Sequence, residues 1–297
     1  MQARSPRVWR VVAALIAIWP YRALRPLGAL LAFVAFDVLR IRRRHVIASM
    51  ARAGISDVRV ARAAYRSLGA GALELLWLSG RPHASLDSIV HVQGWERFER
   101  AHALGRGVVV ATAHTGNWDL AACACAERTD LAVVTKHLSS PSLDAFWQST
   151  RARRGLSLID RGDTVMREIR ARLSAGGSVA LLVDQDPERQ RGVIDAEFLG
   201  ATALHDTLPA TLAARSGAPL VVAFARRLPT GTHVVEVVDV ITPPERAGHA
   251  FIAEATRAIA ASLDRFVRRD PSCWLWLHRR WKTQPIVRIA ADEPAAA

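Results

Sequence analysis

A histidine and a carboxylate five residues apart, His114 and Asp119, are the pair in this chain best placed to move a proton. The apolar run 107–113 before them reads as a buried strand, and the Ala-rich stretch after them, 120–126, reads as a helix. On one continuous helix, residues five apart point about 140° away from each other. The two side chains meet only if His114 precedes the helix and the loop folds back. Thr115-Gly116-Asn117 supplies that turn, with Asn117 as N-cap of the helix. Asp119 then profits from the positive helix end and holds the imidazole in one tautomer. Chemistry at a strand end is what an open α/β sheet provides, because its crevice lies outside the carboxyl ends of its strands.

Three more apolar runs end in polar groups: Lys136-His137, Asp160-Arg161 and Asp184-Gln185-Asp186. Converging ends of this kind would build one site on one rim of the sheet. The nucleophile elbow of a serine hydrolase is absent, as are the phosphate-binding loop and the dinucleotide fingerprint. A His–Asp pair without its own Ser or Cys nucleophile points to a general base acting on a hydroxyl that the substrate brings.

The elements that must hold these residues alternate along the chain. Helices are expected over 55–79, 95–104, 118–127, 142–154, 164–175, 208–216 and 250–268. Strands are expected over 89–92, 107–113, 131–135, 157–159, 178–183, 220–225 and 233–240, the last antiparallel and at an edge. This is an α/β fold with a mostly parallel central sheet flanked by helices. We divide it into an N-terminal helical segment, 1–45, a main domain, 46–289, and a disordered tail, 290–297. The two N-terminal apolar runs, 11–19 and 27–36, fall short of the ~18 residues of a spanning helix. As short helices lying in a membrane interface, followed at once by the basic cluster Arg40-Ile-Arg-Arg-Arg44, they form an anionic-lipid signature.

The chain carries 40 Lys+Arg against 27 Asp+Glu, a net charge of +13, and nine tryptophans, a residue favoured at membrane interfaces. A basic excess of this size calls for an anionic partner. No nucleic-acid-reading motif accompanies it, so a membrane surface or an acidic carrier is expected and nucleic acid is not. Cys123, Cys125 and Cys273 form neither a disulfide framework nor a metal cluster.

Several blocks in order give the chain a resemblance that covers nearly its whole length. They are Tyr21-Arg-Ala-Leu-Arg-Pro-Leu-Gly28, His114-Thr-Gly-Asn-Trp-Asp119, Arg151-Ala-Arg-Arg-Gly155, Val183-Asp-Gln-Asp186, Phe198-Leu-Gly200, 209–219 and Trp274-Leu-Trp-Leu-His-Arg-Arg-Trp-Lys282. They are similar to the lipid A late acyltransferases, the lauroyl and myristoyl transferases of the lysophospholipid acyltransferase superfamily. Phe198-Leu199-Gly200 departs from the family's usual Phe-Phe-Gly, and Asp119 is shared with branches that act on other lipids.

The resemblance implies acyl transfer from an acyl thioester, carried by acyl carrier protein or coenzyme A, to a lipid hydroxyl. It places that activity at the cytoplasmic face of the inner membrane, with no further cofactor or metal. His114 would take the hydroxyl's proton and Asp119 would orient it. Arg151 would serve the oxyanion or an acceptor phosphate, and Asp184, Gln185, Asp186 and Asn117 would meet the substrates. Another membrane lipid as acceptor, or a non-catalytic membrane-surface protein of the same fold, are the alternatives at this stage.

Overall fold

The computed structural model describes residues 7–189 and 191–282, so the tail expected at 290–297 lies outside the described residues. Four helices come first: α1 (Arg7–Ala17), α2 (Leu24–Phe33), α3 (Arg43–Arg52) and α4 (Val58–Gly80). Strands and helices then alternate: β1 (Val90–Gln93), α5 (Trp95–His102), β2 (Val108–Thr112), α6 (Trp118–Ala126), β3 (Leu131–Thr135), α7 (Pro141–Arg153), β4 (Ser157–Asp160), α8 (Val165–Ser174) and β5 (Ser178–Leu182). The chain closes with β6 (Val193–Phe198), β7 (Ala201–Asp206), α9 (Leu208–Ser216), β8 (Leu220–Arg227), β9 (His233–Ile241) and α10 (His249–Arg269).

Seven strands form one sheet in the order β1-β9-β8-β2-β5-β3-β4, and β6 and β7 form a separate hairpin. Every neighbouring pair in the large sheet is parallel except β8–β9. The mostly parallel α/β sheet is therefore present. β9 is antiparallel as expected but is not the edge, because β1 pairs alongside it from Val90↔His233 to Gln93↔Glu236. Side chains alternate faces along each strand. Val109, Ala111, Val222 and Phe224 enter one core with α8, α9 and α10; Val108, Val221, Ala223 and Ala225 enter the other with α4 and α6. Helices on both faces explain why β2 reads as a continuous apolar run.

The hairpin was not legible as strands in the sequence. Its two-residue turn is Leu199-Gly200, both at positive φ (52° and 81°), the twist a tight hairpin needs. Gly200 reaches that region freely. Leu199 is held there by full burial and by its N–H, which donates to Asp264 Oδ1 at 2.5 Å.

The N-terminal helices clamp onto α4. A Cβ on Gly69 of α4 would lie 2.4 Å from the Gly28 carbonyl oxygen of α2, so the two backbones touch there. α1 turns the small residues Ala13 and Ala17 inward against Gly80 of α4. Its larger residues Val8, Val11 and Leu15, with Ile18 just past its end, face outward, 56–74% exposed, and Leu30, Leu31 and Phe33 do the same on α2. No helix among the described residues is long and apolar enough to cross a membrane. Of the tryptophans only Trp19 belongs to this exposed set; the others are buried or half-buried.

Candidate active site

The register of the sheet assembles the site. β2 and β5 pair in parallel with Thr112 opposite Leu182, so the residues two further on, His114 and Asp184, leave the sheet side by side. The His114 Nδ1 and Asp184 Oδ1 atoms are 2.9 Å apart, and the His114 backbone N–H donates to Asp184 Oδ2 at 3.1 Å. Trp274 Nε1 donates to the same Oδ2 at 2.9 Å. Asp184 is 2% exposed and sees three donors. Its carboxyl is pushed up by burial, but the neighbouring imidazole and the Trp274 and His114 N–H groups bring it below the usual carboxylate range. Burial pushes the His114 imidazole down; Asp184, and more weakly Asp119, pull it above its ordinary value, while Arg151 opposes them.

This corrects the sequence reading of Asp119. The carboxylate expected to hold His114 is engaged elsewhere, and Asp184 makes the hydrogen bond instead. Asp119 lies in the first turn of α6 and is 4% exposed. It accepts from Arg151 Nε at 2.7 Å on Oδ1, with Arg151 Nη2 at 2.5 Å, and from Trp147 Nε1 at 3.0 Å on Oδ2. The loop folds back as expected, but the helix start turns Asp119 toward α7, where Arg151 and Trp147 wait one helical turn apart. Arg151 Nη1 reaches Thr135 Oγ1 and Gln148 Oε1 at 3.3 and 3.2 Å.

Asn117 caps α6, its Oδ1 accepting from the Leu120 N–H at 3.1 Å. Its amide donates to Glu74 Oε2 at 2.8 Å and to the Gly71 carbonyl at 3.3 Å. Both ends are therefore used beneath the site, and Asn117 is not the substrate contact expected of it. Below it lies a buried cluster that sequence reasoning missed. Glu74, 1% exposed, pairs with both terminal nitrogens of Arg227 and with His233 Nε2 at 3.2 Å. Burial pushes Glu74 up, but His233 and Arg227 bring it down to about 2. A lone carboxylate inside the apolar run Ala72-Leu73-Glu74-Leu75-Leu76 was the signal available.

His114, Asp119 and Arg151 line a cavity of about 660 Å³. Lys136, His137, Arg161, Gln185 and Asp186 stand on the same cavity, so the four strand ends do converge. The Asp186 N–H donates to His278 Nε2 at 3.2 Å, which ties this rim to the C-terminal block. Further in, the wall is apolar. Trp118, Ala121, Ala122 and Cys125 form a stripe at helical spacing along α6, facing Val133, Ala180, Val221 and Val237 from the sheet. Cys125 is no nucleophile there, since burial pushes its thiol up to about 11. Among the described residues no group of three or more His, Cys, Asp or Glu stands ready to hold a metal.

A carboxylate-held histidine on the wall of a largely apolar cavity is an arrangement able to draw a proton from a hydroxyl brought into it. The family model described as bacterial lipid A biosynthesis acyltransferase matches residues 2–283, and the chain belongs to that family. It is 27% identical over 222 residues to the lipid A biosynthesis lauroyltransferase of Escherichia coli (strain K12), covering 74% of this chain and 71% of that relative.

Proposed function

We propose that this acyltransferase moves a fatty acyl group from an acyl thioester to a hydroxyl of a lipid A precursor at the cytoplasmic surface of the inner membrane. The single observation that carries the chemistry is the His114–Asp184 hydrogen bond at 2.9 Å, made on the wall of a largely apolar cavity. With Nδ1–H committed to Asp184, the basic Nε2 is left for the acceptor hydroxyl. Nε2 takes the hydroxyl proton as the oxygen attacks the thioester carbonyl. The new C–O bond forms, the C–S bond breaks, and the imidazolium returns its proton to the departing thiolate. Arg151 and the N–H groups at the start of α6 are the donors we assign to the oxyanion. The acyl chain lies along the Trp118–Cys125 stripe.

The outward apolar faces of α1 and α2, with Arg22, Arg25 and the 40–44 cluster around them, support a place at the membrane surface. The net charge of +13 suits an acidic carrier protein or coenzyme A as donor. The test is lipid mass spectrometry of a deletion strain complemented with wild type or His114→Gln. We expect an acyl group missing from the lipid A fraction and restored only by wild type. Restoration by His114→Gln, or a loss confined to another lipid, overturns the reading.

A further inference from the structure

A second cleft, of about 850 Å³, is lined in part by Arg226 and Cys273, which touch Gly116 of the His114 loop. Its walls come from the start of α2, the middle of α4, the end of β8 and the segment after α10. Six guanidinium groups line it: Arg22, Arg25, Arg66, Arg226, Arg227 and Arg269. Arg226 and Arg269 share Glu236, each at 2.6 Å, and Arg227 is held by Glu74. Arg22, Arg25 and Arg66 have neither a hydrogen bond nor an ion pair among the described residues, and Asp37, which feels Arg66, is already held by Arg62 at 2.8 Å. Asp270 is the one carboxylate on the wall among the described residues, and Ser272 already donates to it at 2.7 Å. The Nε of Arg227 is buried without a hydrogen-bond partner.

A cleft with this surplus is built for a dianion, and guanidinium forks match phosphate oxygens. Its position says which phosphate. Arg22 stands just before α2 and Arg25 in its first turn, and Leu30, Leu31 and Phe33 further along that helix are exposed apolar surface, so a membrane meeting that surface would bring its headgroups to the cleft. On its inner side Gly116, two residues from His114, packs against Ala225 and Arg226, and its N–H donates to the Cys273 carbonyl at 2.7 Å. We infer that this cleft binds the phosphate of a membrane lipid headgroup, holding a phosphorylated lipid beside the reacting centre; where that lipid is the acceptor, the inference rests on the acyl-transfer reading above.

The test uses the full-length protein in detergent and the double variant Arg25→Gln/Arg66→Gln, both side chains exposed and outside the core. The charge-matched control is Arg167→Gln/Arg170→Gln, on the exposed face of α8. Calorimetric titration with dihexanoyl phosphatidic acid should show binding weakened about tenfold or more by the cleft variant and unchanged by the control. Inorganic phosphate should bind more weakly than the lipid. A raised acceptor KM, with a much smaller change in kcat, assigns the phosphate to the acceptor. Lost flotation with phosphatidylglycerol-containing vesicles at an unchanged KM assigns it to bulk lipid. Equal weakening by the control, no weakening by the cleft variant, or inorganic phosphate binding as tightly as the lipid overturns the inference. The calorimetric result stands apart from the chemistry: it would survive a failure of the His114→Gln test.

Discussion

Asp184→Asn is the substitution that separates the two carboxylates near His114. Asp184 accepts from His114 Nδ1, from the His114 backbone N–H and from Trp274 Nε1. An asparagine of the same shape keeps one oxygen for the backbone and Trp274 donors, but turns an N–H₂ toward Nδ1. The imidazole must then present Nδ1 as an acceptor and carry its proton on Nε2, where the acceptor hydroxyl needs a lone pair. The same change at the buried Asp of a serine-protease triad lowers kcat about 10⁴-fold. We expect a fall of about 10³–10⁴ here, or ~4–5.5 kcal/mol of barrier.

The pH profile gives a second signature. In the wild type the imidazole is raised above its ordinary value, so the base becomes available only as pH climbs past about 6.5, and the rising limb lies above that value. Without the Asp184 charge the burial that already pushes His114 down is less opposed, so the limb of the residual rate moves to lower pH. Folding should persist, at a cost of about 1–3 kcal/mol for the altered buried hydrogen bonds. The assay is kcat against pH with an acyl thioester and lipid acceptor, beside a urea melt. A fall of less than tenfold with the limb unmoved, while Asp119→Asn gives the large loss and the shift, refutes the assignment of Asp184.

Cys125→Trp should fill the cavity one stripe beyond Ala121 and Ala122 and shift the product acyl chains shorter by mass spectrometry. Each methylene excluded costs about 0.8 kcal/mol, or about fourfold in kcat/KM for the longer donor. Glu74→Gln leaves Arg227 buried beside a neutral partner and should cost ~3–5 kcal/mol at pH 7 in a urea melt. Because the folded Glu74 lies at about 2 against an ordinary 4.5, its contribution is complete above about 4.5 and disappears as pH falls through about 2; the gap between wild type and variant must shrink over that window. Val11→Glu/Leu15→Glu places charge on the outward face of α1 and should abolish flotation with anionic vesicles while leaving the melting midpoint close to wild type.

Much of this architecture was legible because it is local. The strand at 107–113, the Asn117 cap and the helix after it follow from a buried run, a turn and a capping side chain, and they appear within a residue or two as β2 and α6. The Asp184 contact is not local. It depends on β5 inserting between β2 and β3, and nothing in either segment announces its neighbour. Asp119 was the nearer carboxylate in sequence, and nearness in sequence decided the reading. The helix α3 was hidden differently: Val46, Ser49, Met50 and Ala53 are buried at helical spacing, but its first turn falls in the run 40–44, whose arginines read as a charge cluster. In β6 and β7 the turn Leu199-Gly200 lacks the Asn-Gly or Asp-Gly that marks a tight hairpin, because burial of Leu199 holds the backbone there instead.

The division of labour between the two carboxylates has its own logic. A histidine that must work as a base cannot sit beside two unneutralised charges, since both would hold its proton on. Asp184 pulls the His114 imidazole up and Asp119 adds to that pull, but Arg151 lies on Asp119 at 2.5 Å and acts in the opposite sense on His114. Asp184 receives only neutral N–H donors besides the histidine, so in the mechanism we propose its charge is available to steady the imidazolium formed on His114. Asp119 has its charge met by a guanidinium and fixes where that guanidinium stands, at the cavity wall where the mechanism we propose puts the thioester carbonyl. The short spacing His-x4-Asp thus ties the proposed base to the cation, and the long-range pairing of β2 with β5 ties it to the Asp184 charge.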